Sequence, residues 1–214
     1  MAKKKKTPSK PMKKPAAARA AATPKRGAKP ARAAAKKPAS ARKPKAMDPE
    51  AMMAAWMKAM TPAEGHHRLA PLVGTFVART TFWMAPGAPG DSHDGVSEHD
   101  WVLGGRFVQQ RYRGTAMGMP FEGIGYTGFD NVRGKYASTW MDTMGTGIMN
   151  SVGTGKPTES QIGSVCTAWE AGAGMVEIQG MIRIQDHDHH TFELRRKGPN
   201  GKTFRNMLVE YKRK

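Results

Sequence analysis

A run of hairpin signals between Trp101 and Asp142 constrains the fold of this chain more than any other feature. Two glycines follow Trp101-Val-Leu, and an Asp130-Asn131 pair follows Gly128-Phe129. Aromatic and β-branched residues recur at alternate positions between these turn signals, which is typical of strands joined by tight turns. The stretch therefore predicts consecutive antiparallel hairpins.

The same alternation continues to the C-terminus. It predicts about ten strands between Gly74 and Lys212, separated by turn residues such as Pro199-Asn200-Gly201. A helical segment precedes these strands and none interrupts them, which disfavours βαβ units. We predict a mainly β domain at 47–214, either an up-and-down antiparallel barrel or a strongly curved sheet, with an N-terminal helical cap.

Two short helices, at 49–60 and 62–70, are predicted to form this cap. Asp48 and Pro49 suit the N-cap and first position of the first helix, and the capping-box pattern Thr61-Pro-Ala-Glu64 begins the second. The first helix has an apolar face composed of Met52, Met53, Trp56 and Met60. We interpret this face as a lid over a barrel mouth or sheet, in preference to a partner-binding surface.

Almost all of the net charge lies in residues 1–46. This segment contains 13 Lys and 4 Arg without an acidic residue, whereas the rest of the 214-residue chain has 18 basic and 17 acidic residues. Its Lys, Ala and Pro composition offers little apolar surface to bury, which predicts disorder. The pI of about 10.3 therefore describes a nearly neutral domain with a cationic tail.

The tail resembles the Lys-Ala-Pro tails of linker histones and of their bacterial counterparts. Its charge favours sequence-independent contact with nucleic-acid phosphates through counterion release, and the alternative is a solubilising arm with no dedicated partner. The lysines to which we assign phosphate contact are Lys3, Lys4, Lys5, Lys6, Lys13, Lys14, Lys36 and Lys37.

The single cysteine, Cys166, excludes an intramolecular disulfide framework and a zinc site with several thiolate ligands. The sequence contains neither an apolar run of about 18 residues nor the apolar core of a secretory signal. We therefore expect a cytoplasmic protein, with nucleoid association as a further option, and no membrane partner.

A string of motifs spans the whole domain. Its members are Trp56, Gly65-His66, Leu69, Leu72-Val-Gly74, Trp83, Pro86-Gly87, Trp101-Val-Leu-Gly-Gly-Arg-Phe107, Pro120-Phe-Glu-Gly123, Gly125-Tyr126, Gly128-Phe-Asp-Asn131 and Trp140-Met-Asp142. These motifs resemble the family catalogued as domain of unknown function 1579. The resemblance implies a calycin-like, lipocalin-type barrel and implies no reaction, because the family has none assigned.

Polar residues on the predicted strands are candidates for a ligand cavity. Arg106, Val108, Gln110 and Tyr112 share one strand face, which combines apolar bulk with a cation and an amide. The complete set of cavity candidates is Arg106, Gln110, Tyr112, Glu122, Tyr126, Trp140 and Asp142. The alternative for Arg106 is a structural ion pair with Glu122 or Asp142 that closes one end of the barrel.

Two further motifs are weighed against their structural alternatives. Gly123-Ile-Gly-Tyr-Thr-Gly128 spells a dinucleotide fingerprint inside a predicted strand, so we reject it. We interpret Asp186-His-Asp-His-His190 as a hairpin turn in preference to a metal site, so His187, His189 and His190 are only weak candidates for metal ligands. A haem site stays open by fold-level analogy with nitrobindin-type barrels.

The sequence thus favours a non-catalytic barrel for a small apolar or amphipathic molecule, with no cofactor and a tail that contacts nucleic acid. The alternatives are a haem protein or enzyme that uses the cavity, and a nucleoid-associated protein in which the barrel is a scaffold.

Overall fold

The structure is a computed structural model that describes residues 48–154, 158 and 160–214. Chain contacts divide the protein into two units, 1–45 and 46–214, and the description that follows concerns the second. The expectation of disorder at 1–46 and the tail lysines lie outside the described residues.

The described residues form two α-helices, one 3₁₀ turn and ten β-strands. The helices are α1 (Pro49–Met60) and α2 (Glu64–His67), followed by the 3₁₀ turn Ala70–Leu72. The strands are β1 (Gly74–Phe82), β2 (Asp91–Val102), β3 (Phe107–Ala116), β4 (Met119–Asp130), β5 (Lys135–Asp142), β6 (Met149–Thr154), β7 (Gln161–Glu170), β8 (Gly174–Ile184), β9 (His189–Lys197) and β10 (Thr203–Arg213).

The strands form one closed antiparallel barrel in sequential order. Each strand pairs with the next along the chain, and β1 pairs with β10 to close the barrel, with Val77 opposite Lys212. Closure leaves no strand edge exposed among these ten strands. The predicted up-and-down barrel is confirmed, and the dinucleotide-like glycine motif lies within β4 as expected.

The turns follow the chemistry expected from the sequence. Gly104 and Gly105 adopt positive φ between β2 and β3. Asp130 Oδ1 accepts hydrogen bonds from the backbone N–H groups of Val132 and Arg133 after β4. The Asp186-to-His190 cluster is confirmed as a hairpin connection between β8 and β9, with Asp186 Oδ1 accepting from the N–H groups of Asp188 and His189.

One end of the barrel is filled by residues 64–72, which include α2 and the 3₁₀ turn and which we call the plug. Leu69 and Leu72 are 0% and 5% exposed and belong to the same apolar cluster as Val108 and Tyr136. The sequence predicted one helix at 62–70. Pro71 lacks the N–H that a continuing α-helix needs, so the chain forms α2 and then a 3₁₀ turn.

The cap of α2 also differs from the expected box. Ala63 is the N-cap residue, and its backbone N–H donates to His66 Nδ1 at 3.0 Å. Burial lowers the pKa of the His66 imidazole, which keeps the ring neutral and able to accept this bond.

The interpretation of α1 as a lid is wrong. Within the described part of the chain, every residue of α1 is exposed, and hydrogen bonds join its C-terminal end to the barrel. Asn131 Nδ2 lies 2.8 Å from the Thr61 carbonyl, and Arg106 Nη2 lies 2.7 Å from the Met60 carbonyl. The plug covers the barrel end instead, and its apolar residues Leu69 and Leu72 are buried.

Candidate functional site

A hydrogen-bonded chain of polar side chains crosses the middle of the barrel. Gln110 Nε2 donates to Ser97 Oγ at 3.0 Å and to the Tyr211 hydroxyl at 3.1 Å. Ser97 Oγ also lies 2.8 Å from His99 Nε2. Because buried polar groups are costly unless paired, these bonds allow β2, β3 and β10 to place polar side chains inside the barrel.

His99 is held as a neutral imidazole in this chain. Burial lowers its pKa to about 4, and a hydrogen bond to the Leu72 backbone opposes that shift only in part. Because this hydrogen bond raises the pKa of His99, it is one in which a ring N–H donates to the Leu72 carbonyl. Nε2 therefore accepts from the Ser97 hydroxyl, and both nitrogens of His99 are used.

A second imidazole, His190, packs among aromatic rings. Its ring stacks on Tyr211 at 4.3 Å and 12° and meets Phe76 edge-on at 4.7 Å. Burial lowers the pKa of His190 to about 3, and repulsion from protonated His99 and from Arg213 adds to this shift. We call Phe76, His99, His190 and Tyr211 the central ring cluster, whose members are each at most 6% exposed.

Arg213 seals the plugged end of the barrel, which we call the closed end. Its Nη1 donates to the Val73 carbonyl at 2.7 Å and its Nη2 donates to the Pro71 carbonyl at 3.0 Å. The guanidinium carbon lies 4.7 Å above the Phe76 ring. Gly74 has φ +140°, a conformation that residues with a side chain rarely adopt, so glycine is favoured there. A Cβ at this position would also lie 2.0 Å from Arg213 Nη1 and would displace the guanidinium.

The opposite end, which we call the open end because the plug lies at the other end, contains half-buried side chains. Phe121, Trp140 and Met207 pack against the central apolar cluster from this side, and Met149 packs against a neighbouring one. Trp140 Nε1 donates to Asp142 Oδ2 at 2.8 Å, and the Met144 N–H donates to Asp142 Oδ1 at 2.9 Å. The tryptophan and the carboxylate are therefore fixed in orientation.

Two glycines of β4 accommodate the Trp140 ring. Cβ atoms built at Gly123 and Gly125 would lie 2.1 Å and 2.9 Å from that ring. Both glycines are buried and face the interior, opposite Asp142 and Trp140 in the β4–β5 register. The glycine-rich sequence of β4 thus creates the floor on which the indole lies.

The predicted cavity residues separate into two groups. Gln110 and Tyr112 face the interior, as does the pair Trp140 and Asp142 at the open end. Arg106 precedes β3 and binds the backbone of the β2–β3 turn and of α1, so its predicted place in the cavity is wrong.

Glu122 and Tyr126 are also placed differently from the prediction. Because β4 turns its glycines inward, these residues face outward. Glu122 pairs with Arg113 at 3.8 Å, and the Tyr126 hydroxyl accepts from Gln109 Nε2 at 2.6 Å. The ion pair of Arg106 with Glu122 or Asp142 is likewise not formed, because Arg106 is used at α1.

Two grooves lie against the barrel wall. One of about 480 Å³ is bordered by residues that include Phe107, Gln109 and Tyr126. The other, of about 290 Å³, crosses β1, β10 and β9 and includes Arg79 and Glu210. Outward-facing Tyr126 therefore contributes to a surface groove instead of the interior.

Sequence reasoning missed most of the polar chain. Ser97 and His99 share a face of β2 with Trp101, and Tyr211 shares a face of β10 with Val209. The aromatic and apolar partners marked those faces as inward by two-residue periodicity. Applied to β2 and β10 as it was to β3, that signal would have identified all three polar residues.

The histidine candidates do not converge. His187 and His189 are exposed on the β8–β9 connection, whereas His190 is buried. Across residues 48–154, 158 and 160–214, no three His, Cys, Asp or Glu side chains group in a way that could hold a metal ion.

The central ring cluster does not fit a haem. An axial ligand needs a free ring nitrogen beside a planar slot. His99 uses both nitrogens, and His190 packs between Tyr211 and Phe76. The haem alternative stays a prediction that this packing disfavours.

Three solved structures are similar to this chain over most of its barrel domain. The crystal structure of Rv2717c from M. tuberculosis is 17% identical, with a TM-score of 0.51, and the match covers 72% of this chain and 99% of that one. A redesigned β-barrel matches at 13% identity and TM-score 0.38 over 72% of this chain and 98% of its own. A de novo designed fluorescence-activating β-barrel matches at 17% identity and TM-score 0.39 over 69% of this chain and 98% of its own.

No curated protein matches the chain. In the described residues, no helix is long and apolar enough to cross a bilayer. The family model described as "Protein of unknown function (DUF1579)" matches residues 61–213, which is most of the chain and nearly the whole barrel domain. The chain therefore belongs to the DUF1579 family.

Proposed function

We propose that the barrel is a non-catalytic binding domain for a small apolar or amphipathic molecule that enters at the open end. The observation that carries this proposal is the asymmetry of the two ends. The closed end is filled by the plug and by Arg213, whereas the open end presents half-buried Phe121, Trp140 and Met207 beside the fixed Asp142 carboxylate. Apolar walls with a few oriented polar groups are the usual composition of a small-molecule site.

The polar chain beneath the open end suits recognition without charge. Gln110, Ser97 and Tyr211 are uncharged, and His99 is neutral at physiological pH because of its lowered pKa. The central ring cluster, to which His99 and Tyr211 belong, fills the barrel toward the closed end. The ligand therefore binds in the half of the interior nearer the open end. Gln110 is the one member of this polar chain that is only partly buried, so it is the partner that we assign to a hydroxyl group on an otherwise apolar ligand.

An enzymatic alternative would use Ser97 and His99, whose Oγ and Nε2 are 2.8 Å apart. Three observations weigh against it. Ser97 is 0% exposed, the low pKa of His99 makes it a weak base, and the ring pairs with a backbone carbonyl where a carboxylate would strengthen the base. Cys166 is also buried, and burial raises the pKa of its thiol, which keeps it protonated.

Indole and amide signals in ¹H–¹⁵N spectra of the full chain test the binding proposal directly. We expect members of a library of small apolar and amphipathic compounds to shift the Trp140 Nε1–H and Gln110 Nε2–H₂ signals together. The Trp169 indole, which is 78% exposed on β7, provides an internal control that should not move. Compounds that shift only Trp169 or Trp56, or a library that shifts neither reporter, would contradict the proposal.

We further propose that residues 1–46 contact nucleic acid non-specifically. Support comes from their 17 basic and no acidic residues. Each neutralised phosphate releases counterions, so affinity for duplex DNA is expected to fall at least ~100-fold between 50 and 200 mM salt.

The matched variant for this test replaces Lys3, Lys4, Lys5, Lys6, Lys13, Lys14, Lys36 and Lys37 by Gln. It should bind DNA more weakly and show a shallower salt dependence in a fluorescence-anisotropy titration. Equal affinity and equal salt dependence for the variant and the natural chain would rule out tail contact.

A further inference from the structure

Helix α1 presents an apolar face that nothing in the described structure covers. Its large apolar side chains are all about half exposed or more: Met52 50%, Met53 60%, Trp56 64%, Met57 54% and Met60 49%. At 100° per residue these five positions occupy less than half of the helix circumference. Ala54, Ala55 and Lys58 lie on the other side, so the large side chains form one continuous surface.

A helix of this length is not expected to persist alone in water. Isolated helices shorter than about 12–15 residues are marginal, and most helical stability in proteins comes from packing of an apolar face. α1 has 12 residues, and none of its side chains is buried against the described residues. Its apolar face therefore requires a partner.

The barrel holds only the C-terminal end of α1. Asn131 Nδ2 lies within hydrogen-bond distance of the Lys58, Ala59 and Thr61 carbonyls, at 3.1, 3.3 and 2.8 Å. The Arg106 guanidinium donates a hydrogen bond to the Met60 carbonyl at the C-terminus of α1, where the helix dipole favours positive charge. These contacts fix the helix terminus to the barrel and leave the apolar face free.

Two exposed apolar turn tips lie beside this attachment point. Leu103 is 71% exposed and adopts φ 51°, and Arg106 Nη1 donates to its carbonyl at 3.0 Å. Val132, which follows Asn131, is 81% exposed. These tips therefore place two further exposed apolar side chains next to the point where α1 is attached.

The neighbouring charges favour an anionic lipid surface. Residues 1–46, which immediately precede α1 in the sequence, carry 17 basic residues. Exposed Lys135 follows Val132, as does Arg133, which lies 4.0 Å from the Asp130 carboxylate. The interfacial binding of an amphipathic helix strengthens with the apolar area that it buries and with electrostatic attraction to anionic lipids. A second copy of the chain would bring two strongly cationic tails together, which disfavours self-association through α1.

We propose that α1, with the tips at Leu103 and Val132, docks on the surface of an anionic lipid bilayer. Trp56 and the methionines enter the boundary between headgroups and acyl chains, while the flanking cations meet lipid phosphates. This inference replaces the expectation of no membrane partner and does not depend on the proposed ligand or on nucleic-acid binding.

The test is sedimentation of the full chain with vesicles of phosphatidylcholine alone or with about one-third phosphatidylglycerol. The substitution pair Met53→Glu with Trp56→Glu alters the α1 face. The control pair Trp169→Glu with Met175→Glu makes the same chemical change on paired, exposed positions of β7 and β8. Urea unfolding of both variants shows that the barrel remains folded.

We expect the natural chain to bind the anionic vesicles only. The α1 pair should weaken the affinity for these vesicles at least ~10-fold and the control pair less than ~2-fold. The affinity for DNA should be equal in the two variants. Equal loss in both variants would show that charge alone binds lipid and would overturn the role of α1. A failure of the natural chain to bind anionic vesicles, or a dimer in sedimentation velocity that only the α1 pair dissociates, would also overturn the proposal.

Discussion

The free energy of unfolding is expected to fall by several kcal/mol as the pH is lowered from 6.5 to 4.5. His99 and His190 have folded-state pKa values of about 4 and about 3, because both imidazoles are buried. In the unfolded chain an imidazole titrates near 6.5. As the pH falls below 6.5, the unfolded state therefore binds protons that the folded state cannot bind, and stability is lost.

The loss amounts to about 2–3 kcal/mol for each imidazole at pH 4.5, and stability is fully present above pH 6.5. Urea unfolding at a series of pH values measures it. His190→Phe, which replaces one buried imidazole by a ring that does not titrate, should reduce the pH dependence by about half. A stability that is flat across this window in the natural chain would contradict the buried, neutral state of the central ring cluster.

Phe76→Ala is expected to cost about 3–5 kcal/mol, the usual range for truncating a buried phenylalanine. Phe76 is 0% exposed, contacts His99, His190 and Tyr211 through its ring, and lies under the Arg213 guanidinium. Its removal leaves a cavity and withdraws the surface on which the guanidinium lies.

The neighbouring residue provides the control for this substitution. Val77 faces outward and is 42% exposed, so Val77→Ala should cost less than about 1 kcal/mol. The difference between the two urea midpoints, at an unchanged denaturant slope, measures the effect. Similar losses at positions 76 and 77 would show that the inward and outward faces of β1 are wrongly assigned.

The barrel could be predicted because its signals are local. Turn glycines at Gly104 and Gly105 and the Asp130 turn mark hairpins, and alternation marks faces, so strand order in an up-and-down barrel follows directly from chain order. Closure between β1 and β10 joins residues far apart in sequence, which is why the sequence left a curved sheet as an alternative.

The inward-facing side of a strand was predicted correctly where it carries a large apolar residue and incorrectly where it carries glycine. On β3, Val108 identified the inward face that carries Gln110 and Tyr112. On β4, the inward positions are Gly123 and Gly125, and the Trp140 ring occupies the space their missing side chains leave. The bulkier Glu122 and Tyr126 therefore suggested the wrong face of β4. The side chain that fills the space inside Gly123 and Gly125 is Trp140, which belongs to β5.

Long-range contacts also decided the roles of α1 and Arg106. Periodicity correctly placed an apolar face on α1, but it cannot show whether a face meets the same chain or a partner. The Arg106 side chain bonds to Met60, 46 positions earlier, and no local pattern records such a contact.

Native mass spectrometry of the full chain, purified from its own host, tests the central proposal most directly. We expect a fraction of the protein to carry one additional small-molecule mass, which is lost when Trp140→Ala and Gln110→Leu alter the open end and the polar chain beneath it. A mass equal to that of the bare polypeptide in every charge state, or a bound mass that both substitutions leave in place, would contradict a ligand site in the barrel.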